Sequence, residues 1–264
     1  MPCLGVLLSG EEADKAEFEH TGHIFLLHES QRYNQSFFEP KLLRPCFDHE
    51  LAKHWLDYCS KNHKSCQDDA DEVEVLKLID CSLNSPAVVP APRAAKYIAL
   101  SYVWGSPKKL PDVQTADLSP DDSKFSKTIR DAITATQQLG VQYLWVDKHC
   151  INQDDAQEKH NQISRMDRIY RGAVATIIAV AGNNADHGLP GVGDTFREQQ
   201  PVAICQDFTL MSTMTHPHSS ITSSSWNSRA WTFQESVLSR RRLVFTENQI
   251  YFECDVMNCV ESLP

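Results

Sequence analysis

The spacing of apolar residues changes period several times between Tyr97 and Cys254, and the changes predict alternating strands and helices. Tyr97 to Tyr102 (YIALSY) is a compact run of β-forming residues that stops at the turn signal Val103, Trp104, Gly105, Ser106 and Pro107, which marks a first strand. From Thr128 to Leu139, the residues Ile129, Ala132, Ile133 and Thr136 recur at helical spacing, and Gly140 stands where a helix would end. Val141 to Val146 (VQYLWV) predicts a second strand closed by Asp147. Asp155 and Glu158 then have the spacing of a capping box, and Ile163, Met166, Tyr170 and Ala173 mark one apolar helical face. Val174 to Ala181 (VATIIAVA) is nearly all apolar, as expected for a strand covered on both faces, and stops at Gly182, Asn183 and Asn184. A polar stretch from about 186 to 225 reads as an insertion, with candidate strands at Val202 to Cys205 and Phe208 to Met211. Trp226 to Leu238 predicts a helix, and Arg242 to Phe245 and Gln249 to Cys254 two short strands.

This order predicts an α/β domain over 93–264 with a mainly parallel sheet, because parallel neighbours need crossover connections. In such sheets the ligand crevice lies at the carboxyl ends of the strands. The rule selects Ser101, Trp104 and Gly105 after the first strand, Asp147 after the second and Asn183 after the third. The three strands are expected side by side, with the later helix bringing Arg229, Trp231 and Glu235 to the same rim and its free N–H groups able to receive an anion. The expected pocket is lined by Ser101, Trp104, Asp147, Arg229 and Glu235.

Residues 1–92 carry weaker patterning and read as a partly helical extension: a polar start, a short helical pattern, the strand-like Val73 to Ile79, and Pro86, Pro90 and Pro92. Cys59, His63 and Cys66, close to His54, are residue types that bind zinc. On one straight helix Cys59 and Cys66 would be ~10 Å apart at ~1.5 Å rise per residue, too far to share an ion. A metal would need a helix break near Lys61 and Asn62, or a distant fourth ligand such as Cys46 or Cys81. The same spacing puts all three on one buried helical face beside Trp55, and this packing reading is the one the spacing favours, with a zinc-bearing regulatory segment as its rival.

Composition narrows the function classes. With Lys+Arg at 25 against Asp+Glu at 35, the net charge of -10 opposes phosphate backbones and anionic lipid, so no nucleic-acid partner is expected. The short run Arg240, Arg241 and Arg242 reads as a solvated edge. No stretch approaches the ~20 apolar residues of a membrane span, and Met1 to Gly10 lacks a basic leader. Nine cysteines, an odd number, fit reduced thiols in a cytoplasmic chain. No glycine-rich phosphate loop precedes a helix, which argues against a kinase or ordinary dehydrogenase. His149 and Cys150, adjacent on a segment read as extended, would point to opposite faces and could not pair as base and nucleophile.

Three segments go beyond pattern: YIALSYVWG at Tyr97 to Gly105, YLWVDKHCINQDDAQEKHNQISRMDRIYRGA at Tyr143 to Ala173, and WNSRAWTFQES at Trp226 to Ser236. With GLPGV at Gly188 to Val192 and the closing YFEC, they resemble the fungal heterokaryon incompatibility (HET) domain in order and spacing. His149 departs from the apolar residue expected beside Cys150. Many members of that family carry long C-terminal extensions, so an isolated domain is expected here. The resemblance implies non-self recognition and programmed cell death on fusion of incompatible cells.

HET domains are in turn distantly similar to Toll/interleukin-1 receptor (TIR) domains, which implies a flavodoxin-like fold. Some TIR domains hydrolyse NAD with a glutamate four residues after a tryptophan on a helix, a spacing that Trp231 and Glu235 share. The resemblance thus implies a catalytic Glu235, with Ser101, Trp104, Asp147, Arg229 and Trp231 around the nucleotide, and NAD as substrate rather than a permanently bound cofactor. The chemistry is coherent: breaking the nicotinamide bond builds an oxocarbenium-like sugar that a carboxylate stabilises, while a tryptophan stacks and an arginine pairs with pyrophosphate. The competing reading makes Glu235 structural, the tryptophans core, and the protein a non-enzymatic signalling module. It would form a homo-oligomer or recruit an unknown incompatibility partner through a sheet edge and the Asn152 to Asp155 loop.

Overall fold

The computed structural model describes residues 3–5, 23–28, 42–67, 77–105, 124–206 and 208–263. In chain order its strands are β1 (Cys3–Gly5), β2 (His23–His28), β3 (Lys77–Asp80), β4 (Ala87–Pro90), β5 (Tyr97–Ser101), β6 (Tyr143–Val146), β7 (Ala175–Ala179), β8 (Val202–Cys205), β9 (Phe208–Ser212), β10 (Arg241–Phe245), β11 (Ile250–Cys254) and β12 (Asn258–Val260). The helices are α1 (His49–Asn62), α2 (Lys127–Gln138), α3 (Asp147–Cys150), α4 (Ala156–Ile163), α5 (Met166–Gly172), α6 (Pro217–Thr222) and α7 (Ala230–Leu238), with a 3-10 turn at Lys64–Cys66.

The larger sheet has the order β12-β11-β10-β7-β5-β6-β3-β4. Its centre is parallel, β5 pairing with both β6 and β7, and β7 with β10. Both margins are antiparallel. The three predicted strands therefore lie side by side as expected, with the first between the second and third, and every residue of β5 and β7 is buried. The fold is mixed α/β, with the predicted parallel sheet forming only the middle of a wider one.

Local chemistry explains the element ends. After α2, Gly140 takes φ +76, its N–H bonds to the Gln137 carbonyl at 2.9 Å, and the Val141 N–H reaches the Thr136 carbonyl at 3.1 Å. This left-handed stop is open to glycine at no steric cost. Asp155 caps α4 by accepting the N–H groups of Gln157 and Glu158 at 2.9 and 3.0 Å. Glu158 does not close the expected box, and its carboxylate meets Lys77 Nζ at 3.1 Å.

Four expectations need correction. The helix read from Asp155 through Ala173 is broken, because at Ser164 and Arg165 the chain tightens, with the Arg165 N–H on the Gln162 carbonyl at 3.0 Å, before α5 restarts at Met166. The segment after β6 is helical rather than extended, and it turns the Cys150 thiol back to the Val146 N–H at 3.3 Å, while His149 lies edge-on to Phe125 at 5.0 Å. The predicted helix at Trp226 begins only at Ala230, with Arg229 as its N-cap. Arg240 and Arg241 are buried, so this run is no solvated edge.

The polar stretch 186–225 is built into the structure in two places. Leu189 and Val192 are fully buried, and Asp131 on α2 accepts the Leu189 N–H at 2.8 Å and the Thr195 hydroxyl at 2.5 Å. A Cβ on Gly188 would stand 2.3 Å from Thr195 Oγ1 and 2.5 Å from Asp131 Oδ2, so only glycine fits the GLPGV turn. Farther on, β8 and β9 join β2 and β1 of the extension in a four-stranded antiparallel sheet. The extension is likewise anchored at α1, where Trp55 stacks on Phe252 of β11 at 5.9 Å. Of the predicted strand Val73 to Ile79, only the part from Lys77 lies within the described residues. Among the described residues, no helix is long and apolar enough to cross a membrane.

Candidate functional site

At the carboxyl ends of β5 and β6 a cavity of about 320 Å³ opens between α3, α4 and α7. Its polar walls are Trp104, Asp147, Lys159, Arg229 and Glu235, and its apolar floor includes Ile151 and Met166. Asp147 reaches it because β6 ends there and α3 turns away. Glu235 reaches it because α7 packs on α5, which presents the inner face of the helix to the sheet rim.

Trp104, Asp147, Arg229 and Glu235 are each held by hydrogen bonds. The Trp104 indole N–H lies 3.0 Å from both Asp147 carboxylate oxygens, and the Lys148 N–H donates to Oδ1 at 2.6 Å. Arg229 donates to the Tyr102 carbonyl at 2.6 Å. Ser101, buried at the end of β5, donates its hydroxyl to Glu235 Oε2 and accepts the Trp226 indole N–H at 2.7 Å. Glu235 is itself buried, 3% exposed, so a chain of three side chains fixes its carboxyl group at the pocket wall.

Burial pushes the Asp147 carboxyl up to about 7, with the Glu235 carboxylate adding to the rise, against the opposing Lys148 N–H, Trp104 N–H and Arg229. Glu235 is also raised by burial, and the Ser101 hydroxyl and Arg229 act against that rise. The Asp147 carboxyl therefore keeps its proton to near neutrality, with the Glu235 charge as a secondary cause after burial. The Tyr102 and Tyr170 hydroxyls are buried without a hydrogen-bond partner among the described residues. Both phenols are pushed upward, chiefly by burial and further by the Asp147 charge, with Glu235 adding to the rise at Tyr170.

The structure brings together Trp104, Asp147, Arg229 and Glu235 from the predicted set. Ser101 stands behind Glu235 as its donor instead of lining the cavity. The Trp231 side chain lies outside the described residues. Asn183 does not join the pocket, its side-chain oxygen accepting the Ser225 hydroxyl at 2.6 Å. Sequence reasoning missed Lys159, Ile151 and Met166, which converge only because α4 and α5 are separate helices. It also missed Trp226, although that residue opens one of the three motifs.

A mixed sheet whose parallel core presents two carboxyl groups, an arginine and a tryptophan to one crevice defines an α/β domain with a polar-lined cavity at its strand ends. The family model described as Heterokaryon incompatibility protein (HET) matches residues 97–235, more than half the chain, and the protein belongs to that family. It is similar to Heterokaryon incompatibility protein 6, OR allele, of Neurospora crassa, at 29% identity over 135 residues, covering 45% of this chain and 19% of that protein. The chain thus matches about a fifth of the length of this curated relative. No solved structure matches it.

Proposed function

We propose that this HET domain acts in the fungal incompatibility response and its programmed cell death by hydrolysing NAD to nicotinamide and an ADP-ribose product. The observation that carries the reading is the convergence of Glu235 and Asp147 with Arg229 and Trp104 on one cavity. The flavodoxin-like, TIR-like layout belongs to the same reading, supported by the order second, first, third, fourth of the parallel strands.

In the reaction the bond from ribose C1′ to the pyridinium nitrogen breaks, and its electron pair neutralises nicotinamide, so the leaving group needs no proton. Ionised Glu235 faces the positive charge left on the ribose. Water adds to C1′ and releases its proton to bulk solvent, so NAD⁺ and water give nicotinamide, ADP-ribose and one proton. Asp147, still protonated near neutrality, donates a hydrogen bond without adding a second negative charge beside Glu235. Its grip on the Trp104 N–H fixes the indole plane for stacking, and Arg229 faces the pyrophosphate. At about 320 Å³ the cavity takes the nicotinamide riboside end of the dinucleotide, the rest lying along the rim. Nicotinamide release by the purified full chain, compared with Glu235→Gln, tests the reading.

A second reading, a non-enzymatic module that self-assembles, is favoured by β8. This edge strand of the smaller sheet exposes Val202, Ala203, Ile204 and Cys205 along its whole length. Among the described residues that edge is unpaired, and an unpaired apolar edge is a template for another copy of the chain. Concentration-dependent assembly without nicotinamide release would select it.

A further inference from the structure

We infer that Cys59, His63, Cys66 and Cys254 form a structural zinc site that clips the end of α1 to the end of β11. All four ligand atoms lie within 4.8 Å of one another. A zinc ion with sulfur at ~2.3 Å needs tetrahedral edges of about 3.8 Å, so closing the site takes shifts of about 1 Å or less. His63 Nδ1 already stands 3.4 Å from Cys254 Sγ.

The chain builds this convergence by ending α1 on time. His63 leaves the helix at φ -106 and ψ 103, and the 3-10 turn Lys64–Cys66 then folds Cys66 back over the helix end. The separation that a straight helix would impose on Cys59 and Cys66 is thereby removed, and the reading of all three on one helical face is corrected. The fourth ligand is Cys254, not Cys46 or Cys81. Cys59 and Cys66 are fully buried, with Cys254 6% and His63 9% exposed, so the set is closed, as structural zinc sites are and catalytic ones are not.

The surroundings suit a charged centre better than plain packing. Met257 donates its N–H to Cys254 Sγ at 3.4 Å, and the buried guanidinium of Arg241 donates Nε–H to Cys59 Sγ at 3.3 Å. Three thiolates and one neutral imidazole around Zn²⁺ leave one net negative charge, which Arg241 sits to balance. Three sulfurs and one nitrogen in a tetrahedron favour zinc over harder cations. All four ligands lie in the segments that flank the family match at 97–235.

The test is metal analysis of the full chain, produced without an affinity tag or added metal and kept reduced. About one zinc per chain is expected. Replacement by Co²⁺ should give the thiolate-to-cobalt charge-transfer band and intense visible bands of a tetrahedral site. Cys254→Ser should lose most of the zinc, while Cys46→Ser, at an exposed thiol, should retain it. If Cys254→Ser does not fold, the cobalt spectrum of the unaltered chain decides. The inference is overturned by wild-type protein that neither contains nor takes up stoichiometric zinc, by a disulfide joining two of the three cysteines, or by Cys254→Ser that folds and keeps its full zinc.

Discussion

Two regions of this molecule bury ionisable groups, and they do so with opposite consequences. At the pocket, Asp147 and Glu235 approach each other beside a cavity, and burial with mutual repulsion keeps one of them protonated near neutrality. At the end of β11, three thiols and an imidazole converge to within 4.8 Å of one another, and burial pushes the Cys59 thiol up to about 12. The first arrangement leaves room for a small molecule to take up the charge. The second leaves room only for an ion, which would replace the protons outright. A third buried pair, Arg197 with Glu261, each side chain 2% exposed, is already neutralised internally and calls for no ligand. Burial alone therefore does not mark a functional site. What matters is whether the charge already has a partner inside the fold.

The comparison is broken most sharply by Glu235→Gln. The amide keeps the size and the acceptor for Ser101 but loses the charge, so nicotinamide release should fall by about 100- to 1000-fold with the melting temperature retained, measured by chromatography and thermal melting. Unchanged release would move Glu235 into the same class as Arg197 and Glu261. Removing metal with a strong chelator should come next, lowering the melting temperature by roughly 10 °C, the equivalent of about 3 kcal/mol. The two regions should also respond to pH with opposite signs. Asp147 titrates near 7 when folded against an ordinary 3.8, so its contribution to stability is greatest below about pH 4 and is lost as pH rises through 7. Zinc ligands must be deprotonated, so the other region weakens as pH falls. Asp147→Asn should thus raise stability at pH 8 by on the order of 2 kcal/mol and show little effect at pH 4, read from denaturant melts at both values. Cys46→Ser, at an exposed thiol outside both regions, should change neither stability nor metal content.

Much of the pocket was legible in the sequence. Strand ends follow from where the apolar runs stop, and the crossover rule then places Ser101, Trp104 and Asp147 on one rim. The motif around Glu235 added the helix that faces them. The break between α4 and α5 was not legible, because Ile163 and Met166 keep helical spacing across it. Nor was the burial of Arg241, since a charged run looks solvated until a carbonyl and a cysteine sulfur are set against it. The β2–β9 pairing and the approach of Cys254 to His63, 191 residues apart, belong to the same kind.

By itself the sequence determined the alternation of elements, the glycine-dependent helix end at Gly140, and the residue types at the strand ends, because these depend on period and local sterics over a few neighbours. Only the tertiary structure decided which distant groups share a space. It brought two separated acids to one cavity, and three cysteines with one histidine into one buried cluster. Pairing over long separations follows from how whole sheets and helices pack, and no local pattern along the chain encodes that distance.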